Sequence, residues 1–259
     1  MSGMSAGAPL PKITVLLVAA LLAAADRASA QGGPPLITDD PYTPGDGNWE
    51  VNVAVTFEQR KDERVLEAPL LDVNYGLGER LQLKVEAAWV TRTDRLDDET
   101  DTGPGNGTVG VKWRFLDERE AGVSMSVYPQ LEFNYLGSSV DKGLASPGLQ
   151  LLLPVQVARQ FGPWGVNFEA GYNLVEEDED EIIYGLAVSY EVSEALELLG
   201  EIHGAADQEF EEDELVFNLG ARARLDEDIT LLLAAGRSLR ESNDTEPQFQ
   251  VYIGLQFAF

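Results

Sequence analysis

From Trp49 onward, apolar and polar residues alternate with a period of two, the spacing that puts successive side chains on opposite faces of a strand. The run Gln248–Phe259 shows it plainly. Phe249, Val251, Ile253, Leu255, Phe257 and Phe259 fall on one face, and Gln250, Tyr252, Gly254, Gln256 and Ala258 on the other. Leu81–Val90 behaves alike, with Leu81, Leu83, Val85, Ala87 and Trp89 opposite Gln82, Lys84, Glu86 and Ala88. The same rhythm predicts strands over Trp49–Glu58, Leu66–Tyr75, Thr108–Leu116, Val123–Tyr135, Leu149–Ala158, Val166–Leu174, Ile182–Glu191, Ala195–Gly204, Glu214–Leu225 and Ile229–Arg237. Pro154, inside one of these runs, marks an expected bulge. About twelve strands result, each roughly nine to eleven residues long, the length a tilted strand needs to cross a bilayer.

The links between them alternate in length. Gly76–Arg80, Asp117–Gly122, Gln160–Gly165, Val192–Glu194 and Asp226–Asp228 are short, whereas Gln59–Val65, Thr91–Gly107, Gly137–Gly148, Glu176–Glu181, Ala205–Asp213 and Ser238–Pro247 are mostly longer and polar. Short periplasmic turns alternating with longer external loops characterise outer-membrane barrels. Aromatic residues gather near predicted strand ends, with Trp49, Tyr75, Phe115, Tyr190 and Phe259 on one side and Phe57, Trp89, Tyr135, Tyr184 and Phe249 on the other. Two interfacial girdles are expected from that placement.

A soluble β-sandwich or lipocalin-like barrel shares this alternation with its apolar face turned inward. Strand length, loop asymmetry, paired girdles and the apolar ending at Phe259 favour the membrane. The fold expected is therefore all-β, a transmembrane antiparallel up-and-down β-barrel over residues 49–259, with both termini periplasmic. Residues 1–30 read as a signal peptide: Lys12 precedes the apolar run Ile13–Ala25, and Ala28-Ser29-Ala30 supplies a small-x-small cleavage pattern. Residues 31–48, rich in Gly and Pro, read as an extended periplasmic lead-in, either a plain leader or a segment folded into the barrel mouth as a partial plug.

Composition narrows the function. Forty-five acidic residues against 18 basic ones give a formal charge of −27, which disfavours nucleic acid as a partner. Cysteine is absent, so disulfides and thiolate metal sites are excluded. One histidine cannot build a histidine-rich centre, and no metal site or cofactor is expected.

The segment Pro35–Thr56 (PLITDDPYTPGDGNWEVNVAVT) contains Leu36-Ile37-Thr38-Asp39-Asp40-Pro41 and Gly47-Asn48-Trp49-Glu50. Glu67-Ala68-Pro69, Asp72-Val73-Asn74-Tyr75-Gly76 and Arg80-Leu81-Gln82-Leu83 follow it. Over about Pro35–Glu86 these residues resemble the start of the meta-pathway phenol-degradation family of bacterial outer-membrane proteins. The resemblance implies a small outer-membrane transporter for small solutes, aromatic ones among the candidates. It carries over no catalytic residue.

Alternation assigns Lys84, Lys112, Arg114, Arg222 and Arg224 to the lumen, facing Glu50, Asp72, Glu86, Glu132, Glu169, Glu197 and Glu201. Two outcomes are open: a narrow channel whose charge rings filter solutes, or an ion-pair network that stiffens the barrel. His203 falls on the same inner face as Glu197 and Glu201, with no serine nucleophile motif beside it, so no catalysis is expected. The acidic runs Glu176–Glu181 and Glu209–Glu214 read as solvated loops, with divalent-ion bridging to lipopolysaccharide as the alternative. Asp94–Thr102 lacks the glycine and spacing of a calcium loop. Expected partners are outer-membrane lipid and lipopolysaccharide, a small-molecule solute, and the barrel-assembly machinery, the last because the ending at Phe259 resembles the C-terminal signal of bacterial outer-membrane barrels. The transport reading is a passive outer-membrane channel, against a non-conducting structural or surface-interaction barrel.

Overall fold

The computed structural model describes residues 33–208, 213–240 and 247–259. The predicted signal peptide and most of the acidic run Glu209–Glu214 lie outside the described residues.

Among the described residues, thirteen strand segments form one antiparallel sheet: β1 (Trp49–Gln59), β2 (Glu63–Leu77), β3 (Leu81–Asp94), β4 (Thr100–Leu116), β5 (Ser124–Val127), β6 (Gln130–Asn134), β7 (Leu149–Phe161), β8 (Trp164–Val175), β9 (Glu181–Ser193), β10 (Leu196–Asp207), β11 (Asp213–Arg224), β12 (Ile229–Ser238) and β13 (Phe249–Ala258). Each spanning strand pairs with its sequence neighbours, and β1 pairs with β13 from Glu50↔Ala258 to Gln59↔Phe249, closing the ring. Closure removes the sheet edge, whose unpaired backbone groups a bilayer could not satisfy.

β5 and β6 are two halves of one predicted strand. Both pair with β4 on one side and β7 on the other, so twelve strands span. The ladder breaks at Tyr128-Pro129 because Pro129 has no N–H to give. Tyr128 N still donates to Pro154 O at 3.1 Å. Pro154 itself stays within β7, in register with Gly171. Register is the same on both sides of the break, with Val127 opposite Val155 and Gln130 opposite Leu152, so the bulge expected at Pro154 is not formed and the prolines leave only a gap in the ladder.

The faces are inverted relative to a soluble protein. Val85, Leu219 and Ile253 are 57%, 59% and 52% exposed, while Asn52 and Gln156 on the opposite face are 1% and 0% exposed. Apolar side chains thus point out all round the ring and polar ones line the interior, as lipid outside and water within require. Trp49 packs at a tilt against Tyr75, and Trp164 against Tyr190, on the outer surface near one rim. Trp49 and Phe259 exchange backbone hydrogen bonds at 2.7 and 3.0 Å, and Ala258 N donates to Asp228 O in the turn Asp226–Asp228. Both ends of the sheet therefore share the short-turn rim.

At the other rim the strands run further than the period predicts. Thr91 and Thr93 are in register with Thr102 and Thr100, their hydroxyls 3.1 Å apart in each pair, so β3 and β4 occupy most of the expected loop Thr91–Gly107. Its Gly103–Gly107 stretch reads as a turn, yet long-range pairing holds it in a bulged strand.

Candidate functional site

The interior is organised around Gly33–Asn48. The described part of the predicted lead-in lies inside the barrel as a strap against the inner wall, not as a segment extended away from it. Each residue of its Leu36–Pro41 stretch is buried or held. Leu36 drops into an apolar socket formed by Ala187, Leu199 and Ala234, with Tyr252 packed against it. Ile37 N and Thr38 N both donate to the Glu201 carboxylate, at 2.9 and 2.8 Å. Asp39 N donates to Glu169 Oε2 at 3.0 Å, Asn167 Nδ2 donates to Asp39 O, and Lys112 Nζ meets Asp39 Oδ1 at 2.9 Å. Asp40 accepts Tyr42 N at 2.7 Å, lies 3.9 Å from Lys112, and burial pushes its carboxyl up to about 7. Lys112 opposes that rise and the neighbouring Asp39 adds to it.

The strap's start is fixed by Arg222, whose Nη2 donates to Pro34 O at 2.8 Å and Gly33 O at 3.2 Å, while its Nη1 pairs with Glu197 at 3.2 Å. Its far end returns to the short-turn rim, where Thr43 Oγ1 donates to Glu79 O, Gly78 N donates to Asp46, and Gly47 N donates to Gly76 O. Two wall glycines permit this approach. A Cβ at Gly185 would run into Thr38 Oγ1, and one at Gly76 would run into Gly45 O.

The wall carboxylates are supported from behind. Glu201 also accepts Asn218 Nδ2 at 2.7 Å, and Asn218 in turn accepts Gln250 Nε2 at 2.7 Å. Glu169 accepts Gln156 Nε2 at 2.9 Å, and Gln156 accepts the Ser126 hydroxyl at 2.5 Å. These networks fill the lone pairs of buried charges, which would otherwise be costly to keep.

Beside the strap is a cavity of ≈ 610 Å³. Gln82, Lys84, Lys112 and Tyr128 line it within the barrel, and Glu227, Asp228 and Phe259 line it at the short-turn rim. Lys112 Nζ sits 4.6 Å above the Tyr128 ring.

Of the residues assigned to the lumen from sequence, Lys112, Glu169, Glu197, Glu201 and Arg222 come together around the strap. Lys84 pairs with Glu86 at 2.8 Å and approaches Asp72 at 3.9 Å on the neighbouring wall. Arg114 is near the short-turn rim, 3.5 Å from Asp117 and donating to Glu79 O at 2.7 Å. Glu132 stands apart, accepting Asn106 Nδ2. His203 is buried in register with Gly185 and Val216. Arg224 is exposed at the short-turn rim beside Asp226 and Glu227. Among the described residues, no group of three or more His, Cys, Asp or Glu is placed to hold a metal ion.

Sequence reasoning did not assign Asn167, Gln156 or Asn218 to the site. The available signal was their inward register, which an uncharged amide makes easy to pass over. Nor did it see the apolar socket, because Ala187, Leu199 and Ala234 interrupt the polar inner face.

A closed barrel, apolar outside and polar within, holding an ion-paired strap, is an outer-membrane β-barrel. The chain matches the family model described as "Putative MetA-pathway of phenol degradation" over residues 25–259, and it belongs to that family. The match extends well past the stretch that carries the sequence resemblance. No curated relative matches the chain. Among solved structures, it is similar to an outer-membrane channel from Pseudomonas putida F1, with 15% identity, TM-score 0.70, and 88% of this chain and 100% of that one covered. The NanC porin gives 12% identity, TM-score 0.58, and 80% and 98% coverage. The KdgM porin gives 10% identity, TM-score 0.57, and 80% and 99% coverage. At these identities the likeness is one of fold.

Proposed function

We propose that this protein is a passive outer-membrane channel for small solutes, aromatic ones among them, with its lumen narrowed by the Gly33–Asn48 strap. The observation that carries this reading is the ≈ 610 Å³ cavity inside an outward-apolar barrel, which extends from Lys84 and Tyr128 to residues of the rim. A barrel serving only as a scaffold has no need of a wet interior at that rim. Membership of the family and the fold shared with channels and porins support the same reading.

In this account the short-turn rim, with Trp49 and Phe259, faces the periplasm, and residues 1–30 are a cleaved export signal. The outer girdle contacts lipid and lipopolysaccharide, the terminal strand is read by the assembly machinery, and no reaction is catalysed. Flow is downhill through the lumen, and the strap sets its width.

Liposome swelling tests the channel. Vesicles containing the full chain should swell in iso-osmotic small amino acids, including an aromatic one such as phenylalanine, faster than protein-free vesicles. Equal rates would leave the non-conducting barrel as the better account.

A further inference from the structure

We infer that the lumen is selective for cations and neutral solutes over anions; the inference rests on the channel reading and deepens it. Four inner-wall cations are already committed, while Arg224 stands exposed at the short-turn rim. Lys84 is held by Glu86 and Asp72, Lys112 by Asp39 and Asp40, Arg114 by Asp117 and the Glu79 carbonyl, and Arg222 by Glu197 and the strap carbonyls. An anion entering the lumen would have to displace a carboxylate to reach any of them.

Several carboxylates, by contrast, are met by neutral hydrogen-bond donors. Glu67 accepts the Thr56 hydroxyl at 2.7 Å, Glu132 accepts the Asn106 amide, and Glu50 accepts the Asn52 amide at 3.4 Å. Glu67, Glu86 and Glu132 are electrostatic neighbours towards the long-loop side. On the other side, the cavity is lined by Asp39, Glu50, Asp72, Glu227 and Asp228 against Lys84, Lys112 and Arg114. The surplus is therefore negative at both levels, while the fixed positive charge is neutralised in place. Low-dielectric walls focus such a field along the pore, and acidic rings are the usual basis of cation preference. The solutes admitted are thus uncharged or cationic small molecules, and carboxylates or phosphates are turned back.

The test is the zero-current potential of the full chain in a planar bilayer under a potassium chloride gradient. Potassium should be preferred over chloride by roughly tenfold, the low end of what focused fields produce. The Glu67→Gln/Glu132→Gln double variant should lower that ratio while keeping its heat-modifiable gel mobility. A ratio of one or below, or a ratio unmoved by the double variant, overturns the inference and leaves the channel intact. Silence from the full chain and from a Gly185→Val variant alike would remove the channel reading itself.

Discussion

Glu201 accepts the backbone N–H of Thr38 at 2.8 Å across 163 positions of sequence. The same carboxylate takes Ile37 N at 2.9 Å and Asn218 Nδ2 at 2.7 Å, so three N–H donors surround a charge only 2% exposed. Strap and wall are therefore complementary in both directions. The wall offers buried carboxylates that need donors, and the strap offers backbone amides that need acceptors.

Glu201→Ala should release the strap from the wall at Ile37 and Thr38. Each lost charge-assisted hydrogen bond costs about 1.5–3 kcal/mol. Amide exchange at both residues should accelerate by at least an order of magnitude, while the barrel keeps its heat-modifiable mobility. Unchanged protection would show that the strap is held without this contact.

Gly185→Val tests the close approach directly. The new side chain would occupy the space of Thr38, so the strap must lift and its protease sensitivity should rise. The variant removes no hydrogen-bonding group, which separates steric release from loss of Glu201. A strap as resistant as the wild type would contradict the docked geometry.

Lys112 and Asp39 form a pair whose lysine is 2% exposed, with 2.9 Å between nitrogen and oxygen. Removing one partner of a buried pair costs about 3–5 kcal/mol, because the other charge is left alone. Lys112→Met should therefore weaken docking more than the Lys112→Met/Asp39→Asn double variant does. Additive losses in a double-mutant cycle, read by amide exchange of the strap, would deny the coupling.

Docking should also weaken as pH rises. Asp40 has its carboxyl pushed to about 7 in the docked strap, from the ordinary 3.8, chiefly by burial. The docked state thus holds this proton more tightly than the released state. Its contribution is fully present below the ordinary value and is lost as pH climbs through about 7. Strap protection should be greater at pH 5 than at pH 8, and Asp40→Asn should flatten the difference. The opposite slope would place Asp40 in a different environment.

The barrel is legible in sequence because its physics is local. Inward and outward residues alternate within each strand, so Leu83 and Lys84 declare their faces without any knowledge of their neighbours. The break at Tyr128-Pro129 was harder to see, since it depends on which strand lies opposite Pro154. Extension of β4 back to Thr100 is likewise a tertiary effect, as pairing with β3 overrides the turn-like Gly103–Gly107. For the strap, Leu36–Pro41 carried a resemblance to a family but no period that would dock it. Its partners Glu169, Glu201 and Arg222 are more than a hundred residues away. Alternation assigns those three to the lumen, yet nothing local says that they meet backbone amides and carbonyls of the same segment.

Single-channel conductance in planar bilayers, comparing the full chain with one lacking residues 33–46, tests the central claim most directly. A lumen narrowed by the strap predicts discrete currents from the full chain and a clearly larger conductance after deletion. Unchanged conductance, or silence from both chains, would contradict it.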